Sequence, residues 1–244
     1  MNRIIKTLAA FVSITLVLTL VDGCKPDDET PAPIETGTMT DVENHVYQTV
    51  KIGNQWWMAE DLKVTKYRNG SSILPVTNDS VQWKTDTTGA YCDNQVNQIT
   101  IGKFYNWYAI HNLNQIAPAG WHIPTDAEWK EMEMAIGMSQ TEADKSGWRG
   151  SHEGEKLKSV GLQNWTEYKS IWGTNESGFS AHAPGCRLFD LSPGDPGYFA
   201  TGFWWTATSR DNDAYYRYLD YKTSTVFRSH CLKNYGFSIR CVKD

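Results

Sequence analysis

From residue 203 onward the chain is cut into four short aromatic or β-branched runs, 203–208, 215–221, 225–229 and 237–242. Turn-forming triplets separate them: Asp211-Asn212-Asp213, Lys222-Thr223-Ser224 and Asn234-Tyr235-Gly236. Runs of this length between tight turns can satisfy their backbone only as antiparallel strands. Upstream, 46–52 alternates, and 55–62 opens on Trp56-Trp57-Met58; Gly53-Asn54 between them suits a two-residue hairpin turn.

Helical signals lie between these β segments. Thr125 and Glu128 have the Thr-x-x-Glu spacing of a capping box, which predicts a helix starting at Asp126. Trp129, Met132, Ala135 and Ile136 would share one face, and Gly137 would supply a left-handed cap. Ser139 with Glu142 predicts a second short helix across 141–145, and 153–160 a third, ended by Gly161. Phe104, Trp107, Tyr108 and Ala109 fall within two helical turns and predict a short buried helix in 102–110. Helices before strands give an α+β class, loop-rich, with antiparallel strands and a few short helices.

The N-terminus has a different composition. Arg3 and Lys6 precede an apolar run, 8–21, that is shorter than the roughly 20 residues a membrane span needs and ends at Asp22-Gly23-Cys24. This has the form of a lipoprotein signal peptide, 1–23, with Cys24 acylated, although Asp22 occupies a slot usually small or apolar. A polar, Pro-rich tether, 24–40, follows, containing Asp27-Asp28-Glu29. That acidic cluster is similar to the surface-export signal of Bacteroidetes lipoproteins. The expected location is therefore the outer membrane, exposed at the cell surface, with the lipid anchor as membrane partner. Residues 41–244 form one expected domain.

The net charge is −5 and no Lys/Arg block occurs, which argues against nucleic acid as a partner. Aromatic residues make up 13% of the chain and 11 are Trp, which suits a secreted fold richer in loops than a helical bundle. Cys92, Cys186, Cys231 and Cys241 follow the anchor position, an even set that in an oxidising compartment predicts two disulfides with three possible connectivities. No Cys-x-x-Cys pair occurs among them to suggest a zinc or redox site.

Several strings now stand in order: Val50-Lys51-Ile52-Gly53-Asn54-Gln55-Trp56-Trp57-Met58-Ala59-Glu60-Asp61-Leu62, Gly120-Trp121-His122-Ile123-Pro124-Thr125-Asp126-Ala127-Glu128-Trp129, Thr174-Asn175-Glu176-Ser177-Gly178-Phe179, Phe203-Trp204-Trp205-Thr206-Ala207-Thr208 and Tyr235-Gly236-Phe237-Ser238-Ile239-Arg240-Cys241-Val242. Together with 102–108 they resemble the Fibrobacter succinogenes major paralogous domain over nearly all of 46–244. That family is distantly similar to the formylglycine-generating sulfatase-modifying enzymes, which implies a C-type-lectin-like fold. The resemblance also implies a pairing, Cys92 with Cys241 and Cys186 with Cys231, because the first two sit in strings that recur in the family.

Fold similarity does not carry activity with it. The reactive Cys-x-x-x-x-Cys pair of the formylglycine-generating enzymes is absent, Cys231 and Cys241 being the nearest candidates. No other catalytic motif is present, and no cofactor or metal is expected. His122 reads as a packed residue, and Asp126 and Glu128 as helix-start carboxylates. Asp211-Asn212-Asp213 and the loop 190–195 have oxygen donors but no EF-hand pattern, and read as turns.

The expected function is non-catalytic binding or adhesion, to a glycan or a surface protein; an oxidase of the formylglycine-generating type and a structural subunit of a surface assembly are the alternatives. Aromatic residues in loops are the candidate contacts: Trp83, Trp148, Trp172 and Tyr215 first, with Trp165, Tyr198 and Tyr216. For the pairs Trp56-Trp57 and Trp204-Trp205, one ring of each is expected in the core and its neighbour is free to reach the surface.

Overall fold

Seventeen short elements build the structure, a computed structural model that describes residues 33–77, 79–96, 99–161, 165–188 and 200–244. The signal peptide, Cys24, the acidic cluster, Tyr198 and the loop 190–195 lie outside the described residues. In chain order the elements are β1 (Thr36–Thr40), β2 (Val46–Ile52), β3 (Gln55–Met58), β4 (Leu74–Pro75), α1 (Ser80–Thr85), β5 (Ala90–Val96), β6 (Ile99–Tyr105), α2 (Trp107–Ile110), β7 (Trp121–His122), α3 (Asp126–Ala135), α4 (Gln140–Ala143), β8 (Gly147–Arg149), α5 (Glu153–Leu157), β9 (Thr201–Arg210), β10 (Asp213–Asp220), β11 (Val226–Leu232) and β12 (Val242–Lys243). They form a five-stranded sheet, β1-β2-β3-β12-β7, a four-stranded sheet, β8-β11-β10-β9, and a three-stranded sheet, β4-β5-β6. All pairings are antiparallel except β4 with β5. The class is α+β, as expected.

The folded unit starts at Ile34, not at 41. Thr36 to Thr40, expected in the tether, pair with Val50 to Val46 as the edge strand of the first sheet. Composition misled here because an edge strand of small polar residues buries little; in β1 the one buried side chain is Met39. The Gly53-Asn54 hairpin forms between β2 and β3. Gly53 takes φ +59°, and a Cβ there would stand 2.7 Å from that of Ala135, so glycine is required twice over.

Helix α3 begins where the capping box places it: Thr125 accepts from the Glu128 amide and the Glu128 carboxylate accepts from the Thr125 amide. Trp129 and Met132 are buried as expected, but Ala135 is exposed and Glu133 is fully buried. Ser139 caps α4, which starts one residue earlier than expected. The predicted helix in 102–110 is corrected to a strand followed by a single turn. Phe104 and Tyr105 belong to β6, opposite Cys92 and Tyr91, and Asn106 caps α2 by accepting from the Ala109 amide. The last aromatic run is corrected too. The strand itself covers only Val242–Lys243, not 237–242, and it pairs antiparallel in the first sheet, between Trp57 and His122.

β9 separates the two larger cores. Trp204 packs with Trp57, Trp129 and Phe179 on one side, and Trp205 with Tyr105, Trp107 and Phe237 on the other. Both rings of the pair are fully buried, which corrects the expectation that one could reach the surface. Burying an indole removes on the order of 200 Å² from water, roughly 5 kcal/mol before ordering costs. In the other pair Trp57 is buried and Trp56 half-buried. A third, smaller cluster holds Trp83, Cys92 and Phe104.

An ionic network fixes α3 to the four-stranded sheet. Buried Glu133 accepts from Arg149 at 2.7 and 2.8 Å and from Arg217 Nε at 2.7 Å. Asp126 accepts from Arg217 at 2.8 Å and from Arg228 at 2.8 and 2.7 Å. Burial alone would raise the Asp126 pKa, but the Arg228 and Arg217 guanidinium groups outweigh it and hold it down to about 2.

Candidate ligand-binding face

Successive side chains of a strand point to opposite faces, so a strand pinned by arginines on one side offers its other side elsewhere. Arg217 and Arg228, which pair directly across β10 and β11, occupy the α3 side. One residue along, register brings four aromatic side chains into a single row across all four strands of the sheet. Phe203 on β9 faces Tyr218 on β10, Tyr218 faces Phe227 on β11, and Phe227 faces Trp148 on β8.

The ring geometry is continuous. Phe203 and Tyr218 stack at 4.4 Å with planes 6° apart. Tyr218 meets Phe227 edge to face at 5.8 Å, and Trp148 meets Phe227 at 5.0 Å and Tyr218 at 5.1 Å. Phe237 supports the row, 5.1 Å from Phe203 and 5.2 Å from Tyr216. Phe203, Tyr218 and Phe227 are half-buried, and Trp148, on the edge strand, is 43% exposed. The Tyr218 hydroxyl donates to Asp220, and burial together with that carboxylate pushes its pKa up, so it stays protonated. The row therefore presents uncharged, mostly apolar surface on a rigid base.

The other expected contacts do not converge on it. Trp172 is 47% exposed but lines a separate cavity of about 220 Å³ with Trp165 and Ile171. Trp165 itself is buried, its indole donating to the Ala181 carbonyl at 2.8 Å. Tyr215 is half-buried on the opposite side of β10, beside His230 and 4.7 Å from the Arg228 guanidinium. Trp83 is corrected from a surface contact to a core residue: it is fully buried, donates to the Asn234 carbonyl at 2.7 Å and lies 4.2 Å under the Arg187 guanidinium. Tyr216 lies half-buried in the aromatic cluster beside the row. Phe203, Tyr218 and Phe227 were missed; the alternation Tyr216-x-Tyr218 hinted at a shared face, but only the register aligns it with Phe203 and Phe227.

The remaining polar candidates have structural partners. His122 is corrected from a packed residue to a half-exposed one, its Nδ1 2.6 Å from Asp244 and its Nε2 2.7 Å from Glu128. Burial opposes its charging, but the hydrogen bonds to Glu128 and Asp244 prevail and raise its pKa. Within the turn Asp211-Asn212-Asp213, Asp213 pairs with His230 at 2.7 Å. No group of three or more His, Cys, Asp or Glu able to hold a metal ion occurs among the described residues.

Cys92, Cys186, Cys231 and Cys241 are all thiols, which corrects the expectation of two disulfides. Cys92 belongs to the third cluster and Cys241 to the first, so the two are packed in different cores. Cys186 and Cys231 both pack against the first cluster. Burial pushes Cys92 up to about 11 and raises Cys231 and Cys241 further, so none of these three supplies a thiolate near neutral pH.

No helix among the described residues is long and apolar enough to cross a membrane. Neither the curated proteins nor the solved structures compared with the chain include a match. A sequence model of the Fibrobacter succinogenes major domain matches residues 50–243, from β2 into β12, so the chain belongs to that family.

Proposed function

We propose that the chain is an outer-membrane lipoprotein, anchored through Cys24 and displayed at the cell surface, that acts by non-catalytic binding of a neutral glycan. The row Phe203, Tyr218, Phe227 and Trp148 carries this reading. Half-exposed aromatic surface on a rigid sheet suits contact with the C–H faces of sugar rings, and Trp and Tyr dominate contact energetics. The row bears no charged side chain, which favours a neutral ligand over an acidic one. Ring orientation narrows the contact further: Phe203 and Tyr218 use their faces against each other, so Trp148 is the ring best placed to stack on a sugar. A lectin-like use of an α+β scaffold accords with this geometry.

The purified full chain on a glycan array, followed by calorimetry, tests the proposal. Retention of neutral oligosaccharides is expected, with Trp148→Ala weakening them at least tenfold while the melting temperature moves by only a few degrees. No retained glycan, or retention unaffected by Trp148→Ala, would overturn it. Stable oligomers in light scattering with no glycan retained would favour a structural subunit instead.

A further inference from the structure

A second concave site shares no residue with the aromatic row. It is a cavity of about 300 Å³, at the lower end of the size range of small-molecule sites. Its apolar walls include Ile110, Ile116, Trp121 and Ile123, each less than one-tenth exposed. Three titratable side chains stand on its lining, Arg68, His122 and Asp244.

Arg68 is held rigidly. Its Nε donates to the Ala117 carbonyl at 2.8 Å, and its Nη2 to the carbonyls of Pro118 and Trp121 at 2.8 and 2.9 Å. Its backbone amide donates to the Gln115 carbonyl at 2.8 Å. Gln115, also on the lining, sits at φ +56°, a left-handed conformation that a non-glycine residue holds only when its surroundings enforce it. These bonds leave Nη1 with no partner among the described residues, a cationic donor fixed in place before any ligand arrives.

Asp244 is also oriented in advance, its Oδ1 lying 2.6 Å from His122 Nδ1. Because Glu128 takes the other imidazole nitrogen at 2.7 Å, His122 has no nitrogen left for a ligand and serves to position the carboxylate. Oδ2 of Asp244 has no partner among the described residues, and its side chain is 58% exposed. The cavity therefore offers one fixed cation, one fixed anion and an apolar wall.

We propose that this cavity binds a free α-amino acid with an apolar side chain. Its carboxylate meets Arg68, its ammonium meets Asp244, and its side chain lies against the isoleucines. A ligand with both charges answers both groups, whereas a simple acid or amine leaves one of them desolvated without a partner, which is costly. Charge-assisted hydrogen bonds at both ends are about twice as strong as neutral ones.

Calorimetry on the purified full chain with L-leucine as probe tests this, against 4-methylpentanoate, which lacks the ammonium, and 3-methylbutylamine, which lacks the carboxylate. Leucine should bind at least tenfold more tightly than either comparator. Arg68→Gln should weaken leucine binding at least tenfold. Since that change also loosens the 115–121 loop, Asp244→Asn on an exposed side chain is the second variant; it should weaken leucine tenfold and leave 4-methylpentanoate unchanged. Failure of leucine to bind, a comparator that equals it, or an Asp244→Asn chain that binds leucine normally would overturn the proposal.

Discussion

Phe203 and Tyr218 face each other across β9 and β10 with their rings stacked at 4.4 Å and only 6° apart. Residues in such a pair support the sheet, while Trp148 at the end of the row has more of its surface free. Phe203→Ala should accordingly destabilise the chain by about 2 kcal/mol, through lost burial and lost stacking. Trp148→Ala should cost less than about 1 kcal/mol, as expected for a half-exposed ring. Urea unfolding of both variants separates the two roles; equal losses would contradict the distinction.

Glu133 receives two arginines in a fully buried setting, so its removal leaves guanidinium charge with nothing to balance it. Glu133→Gln should cost roughly 3–5 kcal/mol, the range for breaking a buried ion pair from one side. Lys130→Ala, which loses a surface pair with Asp144, should change stability by less than about 1 kcal/mol in the same assay.

Stability should fall at both ends of the pH scale, for different reasons. The folded pKa of His122 lies above its unfolded value, so its contribution is complete below about 6.5 and is lost as pH rises through the folded value. Asp126 is depressed to about 2, so its contribution is present above about 3.9 and is lost as pH falls toward 2. His122→Gln should flatten the alkaline fall in the urea midpoint and leave the acid limb unchanged. An unaltered alkaline limb would show that the Glu128 and Asp244 contacts do not form in solution.

Thiol chemistry offers an independent check on packing. Cys92 and Cys241 are fully buried, with pKa values raised by that burial, and should resist alkylation until the chain unfolds. Cys186, half-buried, should label sooner. Peptide mapping without reductant should find all four as thiols; a bridged pair would place the native core in a different arrangement.

What was legible in the sequence was local. The Thr125–Glu128 box and the Gly53-Asn54 turn depend on neighbours a few residues away, and both formed as read. Phe104 looked helical by its spacing to Trp107 and Tyr108, yet pairing with Cys92 outweighed that preference. The aromatic row was hidden for a related reason. Trp148 and Phe203 are far apart in the chain, and the register of β9 against β10 shifts between Ala214 and Tyr216, so alternation could not say which residues share a face. The same limit hid the arginines: only the sheet places Arg149, Arg217 and Arg228 around Asp126 and Glu133, and nothing in their spacing shows it.

β12, the final strand in chain order, does not lie at a margin of its sheet but between β3 and β7. Val242 is what joins Trp57 to His122, and the amide of Asp244 bonds to the Gly120 carbonyl at 3.0 Å. During synthesis β3 and β7 therefore wait for residues 242–243 before either has this neighbour. The sheet closes through contacts of long sequence separation, which are slow to form and leave strand edges open meanwhile. The first sheet thus stays incomplete until Val242 has been made and reaches Trp57 and His122.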